Sequence, residues 1–246
     1  MSPIRPLSCW PAALWLAGCG CLLLAGGCNL AATGNNMSGK RLFEQGQYAQ
    51  AVDSFQRAIQ NNPRSADAWY NLGATYYYVG KQQRNSTWLQ QSDQMFRQAL
   101  AVDPNHADSY RSLAALLVES GRSNEAFQLI ESWRASAPDS AEPVIELARM
   151  YNEAGNRTQA TQLLVAALNI DPNNARALKA MGKMREDSGE YQLALQNYIR
   201  SYQANNLQTD VAQRIAALQG TIRTTQVVPP APGQARMGSV NRHVPR

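Results

Sequence analysis

Reactive side chains are scarce in this chain, and their positions limit the chemistry open to it. The 246 residues hold two histidines, His106 and His243, and four cysteines, Cys9, Cys19, Cys21 and Cys28. All four cysteines precede residue 29, so the rest of the chain has no thiol for catalysis, disulfide formation or metal binding. Their spacing matches no paired C-x2-C zinc pattern. His106 follows Asp103-Pro104-Asn105, a turn sequence, and His243 lies in a Pro- and Arg-containing tail. A Ser-His-Asp or Cys-His relay is hard to build from a turn and a tail. The chain has no Walker-type loop, no H-E-x-x-H and no G-x-G-x-x-G. Acid pairs such as Glu186–Asp187 read as solvated helix faces. These residue types predict no enzymatic activity, no metal and no cofactor.

What remains for function is surface, and helices must present it. In Ala66 to Gly80, Trp69, Leu72, Gly73 and Tyr76 fall on one face of a helix. A glycine between bulky neighbours is costly there unless a second helix approaches closely. Phe96, Ala99 and Pro104 mark the partner helix and its stop. The pattern then recurs. The step from Pro138 to Pro172 also separates the successive members of Ala126, Ala160 and Ala194 and of Gly121, Gly155 and Gly189. An earlier copy reads Gly46, Tyr48, Ala51, Phe55, Ala58 and Pro63. Asn-Asn-Pro-Arg, Asp-Pro-Asn-His, Ala-Pro-Asp-Ser and Asp-Pro-Asn-Asn form the turns between copies, where proline ends one helix and Asp or Asn caps the next.

Bulky-x2-Leu-Gly-x2-Tyr followed by Ala, an aromatic and Pro resembles the tetratricopeptide repeat, and the recurring step is that family's period. The resemblance implies an all-α, right-handed α-solenoid of about five helix-turn-helix repeats, over 32–65, 66–106, 107–140, 141–174 and 175–208. Three departures carry expectations. Asn35 occupies a bulky position, which predicts a short or frayed first helix. Asn206 stands where the fifth closing proline belongs, and Arg185 where a bulky residue does. The second repeat is seven residues too long around Lys81 to Thr87, predicting either two longer helices or a polar loop. Thr209 to Leu218 reads as a capping helix within 209–219, ended by Gly220.

In that family the first helix of each repeat lines a concave groove. The resemblance therefore implies a protein-binding groove with Tyr70, Tyr77 and Tyr78 clustered beside Arg111, and with Arg149, Lys179 and Lys183 as a basic strip. Tyrosine and arginine are residue types enriched at binding hot spots. Some members grip acidic C-termini through a Lys/Asn clamp. Asn71 matches that clamp, but Asn36 and Lys40 are in reversed order, and Asp108 and Ser112 replace its cations, so that mode is not expected. Trp69, Leu72, Gly73, Phe96 and Ala99 read as packing.

Residues 1–27 have the layout of a secretory leader: Arg5, an apolar stretch from Ala12 to Ala25, then small residues. Leu24-Ala25-Gly26-Gly27-Cys28 resembles a bacterial lipoprotein processing box, which implies a lipid on Cys28. Leu16-Ala17-Gly18-Cys19 is the alternative, and an uncleaved anchor helix a further one. A helix over 12–25 would measure about 21 Å, short of the ~30 Å hydrocarbon core. Residues 28–36 then read as a polar tether, 37–220 as the repeat domain and 221–246 as a disordered basic, Pro-rich tail. The net charge of +5 belongs to Arg5 and to Arg223, Arg236, Arg242 and Arg246. The repeats carry balanced charge, which gives no basic footprint for nucleic acid. The sequence thus leads us to expect a lipoprotein on the membrane of the bacterial cell envelope, facing the periplasm or exterior. Its repeats would bind protein partners in assembling an envelope complex (pilus, secretion or cell-wall machinery). Carbohydrate binding on a tyrosine platform, an enzyme-associated role and self-association are the alternatives.

Overall fold

The computed structural model describes the backbone of residues 17–227 and the side chains of 30–224. Every element in that range is a helix. They are α1 (Ala17–Glu44), α2 (Tyr48–Asn61), α3 (Ala66–Gln83), α4 (Ser86–Val102), α5 (Ala107–Glu119), α6 (Ser123–Ser136), α7 (Ala141–Glu153), α8 (Arg157–Ile170), α9 (Ala175–Asp187), α10 (Tyr191–Ala204) and α11 (Thr209–Val227). They belong to two compact units, Met1–Ala137 and Pro138–Arg246. In the N-terminal unit α1 packs on α2, α3 on α4 and α5 on α6, and each pair also rests on the next. In the C-terminal unit α7–α8 and α9–α10 pair the same way, and α11 lies on α10. Neighbour-on-neighbour packing is how a repeat array builds its core.

The cores are assembled by size matching inside each pair. A Cβ built on Gly39 would lie 2.5 Å from the Phe55 ring, on Gly73 2.9 Å from Phe96 and on Gly182 3.0 Å from Tyr198. These three glycines hold the same place in repeats 1, 2 and 5. Repeats 3 and 4 have Ala114 and Ala148 there, and the aromatic position is taken by Ile130 and Leu164, all four buried. A missing methyl group thus goes with a ring, and a present one with an aliphatic side chain.

Polar side chains close the ends. Ser65, Asn85, Ser140, Asn156 and Asn174 each accept a hydrogen bond from the first turn of the helix that follows. Between repeats, Asn62, Asp103 and Asp171 accept from the backbone N–H two residues on. Asn205 does so too, with Leu207 N–H at 3.1 Å. The fifth turn therefore forms with Asn206 in place of proline, because the side-chain bond supplies the turn. Within repeats, the helices are joined through a residue in the left-handed region: Gly46, Gly121, Gly155 and Gly189, but Arg84 (φ 51°) in the second.

Several sequence expectations change. The first helix is neither short nor frayed; α1 runs for 28 residues. The stretch read as a polar tether, 28–36, lies inside it. Asparagine and glycine are weak helix formers, but packing overrides propensity here. Ala32 is buried, and Gly39 admits Phe55. The long second repeat forms two longer helices and no polar loop: α3 has 18 residues and α4 has 17, against 13 and 14 in repeats 3, 4 and 5. Gly80 lets the added turns meet, with Leu89 and Trp88 packed over it. The last helix does not stop at Gly220 but continues to Val227. The remainder of the expected tail, 228–246, lies outside the described residues. Among those described, no helix is long and apolar enough to cross a membrane.

The size match is open to measurement. Gly73→Ala should cost about 1–3 kcal/mol by overpacking against Phe96, and Phe96→Leu in the same chain should recover part of it. A double-mutant cycle by urea unfolding checks this, and purely additive losses would contradict the size match. Arg84→Gly should leave stability unchanged or raised, whereas Gly121→Arg should lower it by about 1–2 kcal/mol, read from the same unfolding midpoints.

Candidate functional site

The three tyrosines expected to cluster go to three different places. Tyr70 sets its ring 5.8 Å from that of Phe96 and 5.3 Å from the His106 imidazole. Tyr77 lies under the Lys81 ammonium, which is 5.1 Å from the ring centroid and bonds Glu119 on α5 at 2.8 Å. Burial pushes the Glu119 carboxyl up, but the bonds from Lys81 and Tyr77 outweigh it and leave it lowered. Burial raises the Tyr77 hydroxyl, and the Glu119 bond adds to that. Tyr78 turns to the other side of α3 and packs on Phe43 and Tyr48, at 5.4 and 5.1 Å. The reason is helical geometry: Tyr70 and Tyr77 are two turns apart on one face, while the next residue is rotated by about 100°. Arg111 pairs with Asp108 on its own helix. Asn71 is buried and donates to Asn36 Oδ1 at 2.9 Å. These residues make no shared aromatic platform.

One arrangement went unseen in the sequence. His106 Nδ1 accepts from the Ser109 backbone N–H at 3.2 Å and lies 2.9 Å from Ser109 Oγ, while Nε2 faces Asp67 Oδ1 at 3.2 Å. Asp, His and Ser thus do line up, contrary to the expectation from a turn histidine. Ser109 is fully buried, however, and the imidazole is serving as the N-cap of α5. The hydroxyl offers no nucleophile to a bound substrate. Among the described residues no group of His, Cys, Asp and Glu has the arrangement of a metal site.

The C-terminal unit holds the candidate site. A cavity of about 980 Å³ opens between α7, α9 and α11, with Arg149, Lys179 and Lys183 in its wall. Its size lies near the top of the range of about 300–1,000 Å³ for ligand clefts. Ile145, Met184 and Val211 form an apolar floor. The three cations do share one surface, as the resemblance implied, but they are not a free basic strip. Arg149 Nε donates to Glu146 Oε2 at 2.8 Å and Nη1 to Glu153 at 2.7 Å. Lys179 reaches Asp210 on α11 at 2.5 Å, and Lys183 reaches Asp187 at 3.5 Å.

Two further cations complete the wall. Arg176 bridges Glu142 and Glu146, joining α9 to α7. Arg214 grips Glu186 through both Nε and Nη2, at 3.0 and 2.7 Å. Glu186 also accepts from the Tyr198 hydroxyl, which burial first and then this carboxylate hold well above its ordinary pKa. Glu146 is the unexpected member. It is 1% exposed and takes a guanidinium on each oxygen. Left with neither arginine, a carboxylate at that depth would cost about 3–5 kcal/mol; with two, the loss of one still leaves it paired. Most of these pairs were legible in spacing. Glu146–Arg149 and Lys183–Asp187 are three and four apart on one helix, and Glu142 precedes Arg176 by one repeat.

The Lys179 bond, working against burial, holds the Asp210 carboxyl below its usual range. Because the folded-state value is depressed, this pair stabilises fully above the ordinary carboxylate range, and its contribution is lost as pH falls through the lowered value. Lys179→Met should move the Asp210 midpoint upward in an NMR pH titration. A midpoint that did not move would mean the pair is not formed in solution.

Comparison with known proteins agrees with the repeat fold. A model described as a TPR repeat matches residues 39–80, and one described as a tetratricopeptide repeat matches 89–143 and 124–184. Human tetratricopeptide repeat protein 8 is 36% identical over 73 residues, 30% of this chain and 12% of that protein. The peroxisomal targeting signal receptor of Komagataella phaffii is 28% identical over 96 residues, 39% of this chain and 16% of the receptor. The chain therefore spans only a small part of these relatives. Among solved structures, a thermophilic TPR protein of Thermus thermophilus superposes with a TM-score of 0.58 at 20% identity, over 77% of this chain and 99% of that one. Pseudomonas aeruginosa pilF gives 0.52 at 19% identity, over 81% and 93%. At these identities the two structures speak for the fold alone.

Proposed function

Because this chain belongs to the tetratricopeptide repeat family, we propose that it is a membrane-tethered scaffold that holds segments of partner proteins and orders them in an envelope assembly. The observation that carries the binding role is the cavity of the C-terminal unit, whose wall is made by the first helices of two successive repeats and by α11. A protein-reading role also fits the relative named as a receptor for a targeting signal. The tether rests on sequence: a leader layout ending in Gly26-Gly27-Cys28, with Cys19 as the alternative. Their side chains lie outside the described residues. One acyl chain holds a protein to a bilayer only marginally, so stable tethering calls for more than one. The scaffold acts by proximity, raising the local concentration of what it holds.

Two measurements test this reading. Intact-mass analysis of the membrane fraction should find a chain that begins at an acylated Cys28; a chain still beginning at Met1, or an unmodified thiol, overturns the lipid anchor. A photo-crosslinking residue at Gln213, which lines the cavity, should capture a protein in the native cell, and the purified pair should bind with a micromolar or lower Kd. Binding that survives Ala217→Trp in the same wall would place the partner elsewhere.

A further inference from the structure

The side of α1 turned away from the repeats is open. Ala32 and Gly39, seven residues apart, form its buried side. Leu30 and Met37, also seven apart and each two residues earlier, fall about 160° round the helix from them. They are 77% and 67% exposed, so both large apolar side chains are uncovered in the free chain. Gly34 stands between them, and a Cβ built on it would meet nothing within 4 Å. Lys40 and Arg41 flank the strip one turn beyond Met37; both are exposed, and neither has a carboxylate partner among the described residues. No acid precedes Glu44, where the helix ends.

What covers this strip is decided by what is joined to it. Cys28 is two residues before Leu30, about 3 Å along the helix, so an acyl group there brings Leu30 to a bilayer. As the first residue of the mature chain it has no preceding turn, and its lipid can turn to either side of the helix. Standing on end, α1 would give the bilayer Leu30 alone and leave Met37 in water. Lying along the surface, it buries both apolar side chains and brings two cations to the headgroups, as interfacial helices do. A second copy of the chain fits less well. From Leu30 to Arg41 the strip is about 17 Å long and one side chain wide, whereas a stable protein interface needs about 800 Å² per partner. We propose that α1 lies along the membrane surface, with Leu30 and Met37 in the interface and Lys40 and Arg41 on anionic headgroups. This rests on the lipid anchor proposed above and adds an orientation: the first repeat is laid against the membrane and does not swing from it.

The test uses the full chain, processed in cells, purified from their membranes and reconstituted in vesicles of phosphatidylethanolamine and phosphatidylglycerol. Leu30→Cys, Met37→Cys and Gln98→Cys, the last exposed on α4, each take an environment-sensitive fluorophore; an acylated Cys28 does not react. Labels at 30 and 37 should shift to the blue and be quenched by nitroxide lipids, and the label at 98 should do neither. Lys40→Gln with Arg41→Gln should reduce the quenching at 37 at least about twofold, since each cation adds to the pull of an anionic surface, and should leave that at 30 unchanged. Quenching at 30 but not at 37 would mean that the helix stands off the bilayer. A label at 37 that shifts without being quenched would mean that protein covers the strip. Either result overturns the inference and leaves the lipid anchor standing. A chain recovered without an acyl group on Cys28 removes the anchor and the inference together.

Discussion

Each repeat depends on how closely its two helices can approach, and that distance is set by one small residue facing one large one. Glycine opposite Phe55, Phe96 or Tyr198 and alanine in the repeats that carry Ile130 or Leu164 are two solutions to the same volume requirement. Cores are packed near crystalline density, so neither member of a couple can change size alone. Fully burying one such side chain contributes roughly 1.5–3 kcal/mol, and each repeat has few of them. A loss at one couple therefore removes much of what holds a repeat to itself. The same rings also hold neighbours together: Phe55 shares one core cluster with Leu72 and Tyr76 of the next repeat, and Lys81–Glu119 and Arg176–Glu142 add bonds from one repeat to another.

The cavity lining is mixed: Ile145, Ala148, Met184 and Val211 serve the core beneath it, and the more exposed positions beside them carry charge. They carry it in compensated form, and the compensation is also structural. Arg176 and Glu146 tie α9 to α7, and Lys179 and Asp210 tie α9 to α11. Charged side chains here hold the walls of the cavity in register.

Periodicity made most of the fold legible. Prolines, glycines and alanines recurring at a fixed step located ten of the eleven helices, and the capping residues explain why the starts fall where they do. The errors came where local propensity and tertiary packing disagree. Asn35, Asn36 and Gly34 read as weak helix, yet α1 runs through them because Ala32 and Gly39 are buried against their neighbours. Gly220 read as a stop, yet α11 passes it. The site was half legible. Position in the repeat located Arg149, Lys179 and Lys183 on one surface, but counting cations without their acids on the same helix and one repeat away made a neutral wall look basic. Tyr78 was misplaced by one step of helical rotation, and Glu146 was invisible because a buried acid looks like any other in a sequence.

The length of α1 has a mechanical side. Its last thirteen residues match the first helices of repeats 3 to 5. The proposed start of the mature chain leaves Cys28 to Ala31 before them, about one further turn of the same rod, roughly 6 Å at the ordinary helical rise. A flexible leash transmits only tension, and whatever it carries can swivel. A helix continuous with the first repeat transmits torque as well, so a pull or twist at its first turn arrives at Gly39 and Phe55 as a change in angle between α1 and α2.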